Sequence, residues 1–291
     1  MLQALYYALS ALAFIAGSFL ISYGIDVSFE LEELSPLLYF IFPFLTSFPE
    51  LAVVALGIAT GRSGPEVSLG TALGEPFAVL TIGVMLFKLS RGESITGDSG
   101  LETALYSFLI MDILLLISVF VRLAACSLFV AFAVYEILVF REFRKKTYSP
   151  QRWTLALSVA GAILVVASAN GVVMGIIYMS EALSVQPALV SYFIIPLMSA
   201  LPEILAPFVL RRREKKERLA SLFSELPIEM SVYAGAVLLI SSPSLPKALL
   251  LGIAVSGLQG ALVLLEHRTR IRVTLYSSVL LYVLYALAVL F

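Results

Sequence analysis

One cysteine, Cys126, and one histidine, His267, stand in a chain of 291 residues. A lone cysteine permits neither an intrachain disulfide nor a thiolate zinc cluster, and a lone histidine excludes a polyhistidine metal site. Charge is equally scarce: Asp, Glu, Lys and Arg make up 13% of the chain, against 60% hydrophobic residues and a mean hydropathy of +1.00. That balance excludes a soluble globular domain. The net charge of −1 brings no clustered basic face of the kind that grips a nucleic-acid backbone, so nucleic acid is excluded as a partner. An intramembrane enzyme is also short of material. With one histidine, and Asp112 the one aspartate inside an apolar run, no nucleophile–base set or diphosphate-binding aspartate cluster can be assembled.

What is present is a series of long apolar runs. They fall at roughly 3–24, 37–60, 67–88, 104–121, 123–140, 153–179, 189–210, 219–240, 247–266 and 273–291, separated by Gly, Pro, Ser or charge. A spanning helix needs about 20 residues, so ten of them nearly exhaust the chain and leave room only for short loops. The expected fold class is therefore an all-α polytopic membrane protein. Sixteen of the nineteen Lys and Arg fall in alternate loops, at Lys88 and Arg91, in 141–152, in 211–218, and at Arg268, Arg270 and Arg272. Cytoplasmic loops retain positive charge, which predicts a multi-pass protein of the cell membrane with both termini outside.

The chain also resembles itself. Residues 39–50 read YFIFPFLTSFPE and residues 192–203 read YFIIPLMSALPE, with both prolines and the final glutamate shared and Thr46 opposite Ser199. The offset of 153 divides the chain into 1–140 and 153–291, on either side of the basic linker 141–152. Five helices in each half would make the second repeat enter the membrane with reversed polarity, the pattern of secondary transporters whose substrate site lies where the repeats meet.

Carboxylates at membrane depth are costly, so Glu50 and Glu203 must face a cavity, a partner or an ion. Each follows a proline, which cannot donate to the carbonyl four residues back, that of Leu45 in one copy and Met198 in the other. Carbonyls loosened there, or at Thr46 and Ser199, become oxygen ligands. Carboxylates with carbonyls form a hard-oxygen set suited to Ca²⁺ rather than to Zn²⁺ or Cu²⁺. The next helix of each half carries further acids beside proline: Glu75 before Pro76, and Glu225 and Glu229 around Pro227. Asp112 has no repeat partner, and Glu136 is expected at the membrane interface.

These segments resemble the alpha repeats of the cation/calcium antiporter superfamily, the sodium/calcium exchangers and their relatives. TSFPE (46–50) and SALPE (199–203) carry the resemblance, together with the small residues Gly70, Gly74, Ser221 and Ser224 and the Arg122–Leu123 pair. It implies ten helices in two inverted five-helix repeats, with Glu50 and Glu203 binding calcium and Thr46 and Ser199 supplying carbonyls; Ser47 joins the candidate ligands. The departures point elsewhere. Glu75 stands where the family has a serine expected to help bind sodium, Glu225 makes the same replacement, Val79 and Glu229 occupy the further ligand positions, and Ala200 replaces a second serine. Lost hydroxyls and gained carboxylates weaken coupling to three sodium ions and suit proton binding.

The metal-site candidates are thus Glu50, Glu203, Thr46, Ser199, Glu75, Glu229, Glu225 and Ser47. The expected function is secondary antiport of Ca²⁺, or a related divalent cation, for Na⁺ or H⁺, by alternating access. The partners are inorganic cations and the lipid bilayer, and no resident cofactor is expected. Two alternatives use the same acids: a divalent-cation channel, and a proton-coupled Mg²⁺ or Mn²⁺ exchanger.

Overall fold

The computed structural model describes residues 2–29, 44–61, 63–91, 99–143, 152–202, 223–241, 243 and 245–290. The described residues are helical throughout, without strands. In chain order the helices are α1 (Leu2–Phe29), α2 (Phe48–Ala59), α3 (Gly64–Leu89), α4 (Ser99–Phe120), α5 (Ala125–Phe143), α6 (Arg152–Leu183), α7 (Pro187–Ser199), α8 (Phe223–Ser241), α9 (Lys247–Thr269) and α10 (Thr274–Leu290). Seven of these are long and apolar enough to cross a membrane, while α2, α7 and residues 274–288 of α10 are shorter apolar helices.

The shortness of α2 and α7 has a local cause. Residues 44–46 are helical, the chain turns at Ser47, and α2 begins again at Phe48 with Pro49 in its first turn. α7 ends at Ser199, bends at Ala200, and is helical again at 201–202, with Pro202 in that restart. A proline in a helix interior deletes one backbone donor and its ring clashes with the preceding turn. The continuous runs expected over 37–60 and 189–210 are therefore interrupted helices.

α3 and α8 are the inner helices, with 83% and 78% of their most apolar window buried by protein, against 28% for α1. Their seclusion comes from small residues. A Cβ on Gly70 would strike the Ala188 carbonyl and the Ser191 hydroxyl of α7, and one on Gly74 would strike the Tyr192 backbone, so glycine alone lets α3 and α7 touch main chain to main chain. Both helices also carry a π-helical turn, Val79–Gly83 in α3 and Glu229–Tyr233 in α8, each shortly after a proline, Pro76 or Pro227. The wider turn disturbs the carbonyl ladder. The Thr81 hydroxyl donates to the Phe77 carbonyl at 2.6 Å, and the Ser231 hydroxyl donates to that of Pro227.

The buried apolar side chains form two cores. The larger joins α3, α4, α5, α7, α8, α9 and α10 around Phe77, Phe108, Tyr135 and Tyr192. The smaller belongs to α1 and α6, around Phe14, Ile21, Val165 and Val172, with contributions from α2, Val67, Val190 and Ile195. Gly17 and Gly161 lie face to face in that smaller core: a Cβ on either would approach the other's carbonyl oxygen, to 2.8 and 2.6 Å.

Two sequence expectations change here. Lys88, expected in a basic loop, is buried near the end of α3 in an ion pair with Glu266 of α9. Glu266 also accepts from the Val273 and Thr274 amides and, at 2.6 Å, from the Thr274 hydroxyl, so it caps the start of α10 as well. Glu136, expected at the interface, is buried, because α5 packs along the α8 π turn and the face carrying Phe132, Tyr135 and Val139 turns inward with it. Arg268 extends the charged end of α9, pairing with Glu102 of α4 at 2.5 Å and lying over the Tyr106 ring.

Candidate ion-binding site

Three of the sequence-predicted acids converge. Glu50 from the first turn of α2, Glu75 from α3 and Glu229 from the α8 π turn each present a carboxylate oxygen, and these oxygens lie within 4.8 Å of one another. All three residues are at most 2% exposed. Each is aimed by a backbone irregularity: Glu50 follows the break at Ser47, Glu75 precedes the helix-internal Pro76, and Glu229 opens the π turn.

The cluster is electrostatically incomplete. Glu75 stands within hydrogen-bond reach of both Glu50 and Glu229, and Glu50 also meets Ser199. Two ionised carboxylates cannot bond to each other, and Glu50 Oε2, Glu75 Oε2 and both carboxylate oxygens of Glu229 meet no donor among the described residues. Two unit charges 4.8 Å apart repel by about 3.5 kcal/mol at an effective dielectric near 20. A shared proton or a cation removes that repulsion. Calcium takes oxygen ligands at about 2.4 Å, so opposite ligands sit about 4.8 Å apart, and the separations within the trio do not exceed that span.

The remaining candidates lie around this centre. Glu225 is buried one turn before Glu229, and its charge acts on both Glu75 and Glu229. Thr46, Ser47 and Ser199 are buried at the two helix breaks, and the Ser199 hydroxyl donates to the Ile195 carbonyl at 2.9 Å. Glu203 lies outside the described residues. Asp112 is not brought into the trio: its buried carboxylate rests against Gly257 of α9, where a Cβ would displace it. Tyr233 belongs beside the site and was not singled out in the sequence. Its hydroxyl lies 2.8 Å from Ser47 Oγ, and Glu229, Glu50 and Glu75 are all within electrostatic reach. The Arg122 guanidinium donates to the Leu239 carbonyl of α8, which ties the α4–α5 turn to the inner helix.

No protein-family model matches the chain, and no curated protein matches it. Solved structures do. The H⁺/Ca²⁺ exchanger CAX superposes with a TM-score of 0.78 over 99% of this chain and 82% of its own, at 15% identity. The fold is that of the calcium exchangers. The sodium-calcium exchanger NCX_Mj soaked with 10 mM Na⁺ and zero Ca²⁺ matches at 16% identity with a TM-score of 0.67, covering 99% of this chain and 98% of its own. The same exchanger soaked with 2.5 mM Na⁺ and 0.1 mM Ca²⁺ matches at 19% identity with a TM-score of 0.65, covering 99% and 97%. This chain is thus similar in fold to exchangers named for two different coupling ions.

Proposed function

We propose that this protein is a transporter, a secondary active antiporter that exchanges Ca²⁺ for a monovalent cation at the Glu50–Glu75–Glu229 site. The observation that carries the reading is the buried trio itself, whose oxygens lie within 4.8 Å on three different helices. Such a centre is costly to seal from water when empty and acceptable when neutralised. Only a neutralised site then changes sides, and either one divalent cation or the monovalent ions that replace it can neutralise the acids. That requirement makes a binding site into an exchanger.

The architecture of the proposal is ten spans in two inverted five-helix repeats, 1–140 and 153–291, joined by the basic linker 141–152, with both termini outside and the site at the bilayer midplane. Glu203 completes the site as the counterpart of Glu50. The helix breaks at Ser47 and Ala200 support the repeat, and so do the π turns, which recur 150 positions apart on the acid-bearing helices. The separate core of α1 and α6 supports rocking of that pair against the remaining helices.

Glu75 favours H⁺ as the coupling ion. It stands between Glu50 and Glu229, in reach of both, where a proton can be shared and released when Ca²⁺ arrives. The deciding experiment is Ca²⁺ uptake into proteoliposomes under an imposed H⁺ gradient and, separately, an imposed Na⁺ gradient. Uptake driven by the H⁺ gradient supports the proposal, and uptake driven by Na⁺ alone reassigns the coupling ion. Uptake that needs neither gradient supports the channel, while Mg²⁺ or Mn²⁺ carried in preference to Ca²⁺ identifies the other divalent exchanger.

A further inference from the structure

The Tyr233 phenol joins the end of the α8 π turn to the break in α2. It donates to the Ser47 carbonyl at 3.3 Å and lies 2.8 Å from Ser47 Oγ. With the phenol's single proton on the carbonyl, the serine hydroxyl is the donor in the shorter contact. The same carbonyl accepts the Leu51 amide at 3.0 Å, so both of its lone pairs are used. Tyr233 is 1% exposed and Ser47 is wholly buried. The tie is one-sided: the counterpart of Ser47 is Ala200, without a hydroxyl, and the counterpart of Tyr233 on the other π turn is Gly83.

We propose that Tyr233 is a positioning residue that sets cation preference, by filling the second lone pair of the Ser47 carbonyl and so leaving carboxylates as the principal ligands. The inference rests on the exchange reading above. Several Na⁺ ions need neutral oxygens to fill their coordination spheres, whereas one divalent cation gains most from charged ones. Withholding the Ser47 carbonyl, a neutral oxygen beside the site, therefore disfavours the monovalent set.

The test uses the full chain in proteoliposomes, with Glu50→Gln as control, and follows Ca²⁺ uptake as external Na⁺ is raised. Tyr233→Phe keeps the ring and deletes one hydroxyl. It should lower the Na⁺ concentration that halves uptake by about three-fold or more, the scale of one neutral hydrogen bond, with a much smaller change in the KM for Ca²⁺. Hydrogen exchange at the amides of Phe48, Glu50 and Leu51 should also quicken, Leu51 being the one that donates to the Ser47 carbonyl. If Tyr233→Phe is not recovered folded, Ser47→Ala reads the same tie from its other end and should quicken exchange at those amides. Unchanged Na⁺ sensitivity in a folded Tyr233→Phe protein, or unchanged exchange in either variant, overturns the role of Tyr233. Wild-type uptake that survives Glu50→Gln overturns the exchange reading instead.

Discussion

Ser47 and Ala200 stand 153 positions apart and hold nearly the same backbone conformation, φ −84° and ψ 17° at one, φ −83° and ψ −2° at the other. Both values fall in the sparsely allowed bridge region where helices are left rather than continued. Each is followed two residues later by a proline, so the same covalent cause yields the same local geometry twice. The repeated geometry assigns the prolines a task, which is to open the helix beside each acid.

Replacing Pro49 with alanine should let α2 run back through Ser47 to residue 44. Alanine supplies the donor that a continuous helix needs and spares that helix the roughly 3 kcal/mol a proline would cost in its interior. The variant should fold at least as stably as the wild type, while Ca²⁺ uptake falls ten-fold or more because Glu50 loses its aim, a barrier change of about 1.4 kcal/mol. Thermal stability in detergent and uptake in proteoliposomes check the two halves. Lower stability together with normal uptake would show that the break serves the fold alone.

Glu50→Gln and Glu229→Gln should each abolish Ca²⁺ uptake and leave the protein folded in the membrane. Each change removes one charge from a cluster proposed to neutralise a cation, and it relieves repulsion in the empty state. Loss of transport with unchanged or raised thermal stability is the expected pair of results. The proposed inverted repeat predicts the same of Glu203→Gln. Near-normal flux in either Glu50→Gln or Glu229→Gln would remove that residue from the site.

The pH dependence has a definite sign. Protons and Ca²⁺ compete for the same carboxylates, so apparent Ca²⁺ affinity should rise with pH and fall as the cluster gains protons. Glu75→Ser deletes the acid that reaches both of the others. It should flatten the pH profile and shift coupling toward Na⁺, because a neutral hydroxyl replaces a proton carrier. Uptake measured from pH 5 to pH 8 in both proteins checks this. A profile unchanged by the substitution would falsify the coupling role of Glu75.

Much of this site was legible in the sequence. Glu50 could be found because a proline precedes it twice at a fixed spacing, and the depth of Glu229 followed from an apolar run with no loop nearby. The convergence of Glu75 with these two was open until the helices were placed, since Glu75 has an ordinary alternative as a helix-end residue. Tyr233 and the π turns were not found. A tyrosine in an apolar run looks like core packing, and its partner Ser47 is 186 positions away, beyond any local periodicity. The hydroxyls of Thr81 and Ser231, placed 150 positions apart like Glu75 and Glu225, were the available signal for the π turns. Lys88 was misplaced because a charge at the edge of an apolar run reads as loop, and its partner Glu266 lies 178 positions on.

Breaking that pair should reveal its stabilising role. Lys88→Met removes the ammonium paired with Glu266 while the Val273 and Thr274 donors remain, so the loss should fall below the 3 to 5 kcal/mol typical of a severed buried pair. Adding Glu266→Gln removes the stranded charge and should recover part of the stability. Thermal midpoints of the single and double variants form the check, and a double variant less stable than Lys88→Met alone would count against the pairing.

The α1–α6 contact gives a graded test. At Gly161 an added Cβ would lie 2.6 Å from the Gly17 carbonyl and 2.8 Å from the Ile21 amide, atoms of main chain that cannot swing aside. At Gly175 the nearest atom is the Tyr7 Cβ, 3.2 Å away, which needs only a small shift. Gly161→Ala should therefore separate the two helices and cost about 1 to 3 kcal/mol as overpacking, with Gly175→Ala costing clearly less. If α1 and α6 rock as one body, Gly161→Ala should also slow exchange more than its stability loss explains, because the pair no longer moves rigidly. Thermal midpoints and initial uptake rates of the two variants, compared at matched folded protein, decide it: equal effects at both glycines would mean that the close main-chain approach matters neither to the fold nor to the motion.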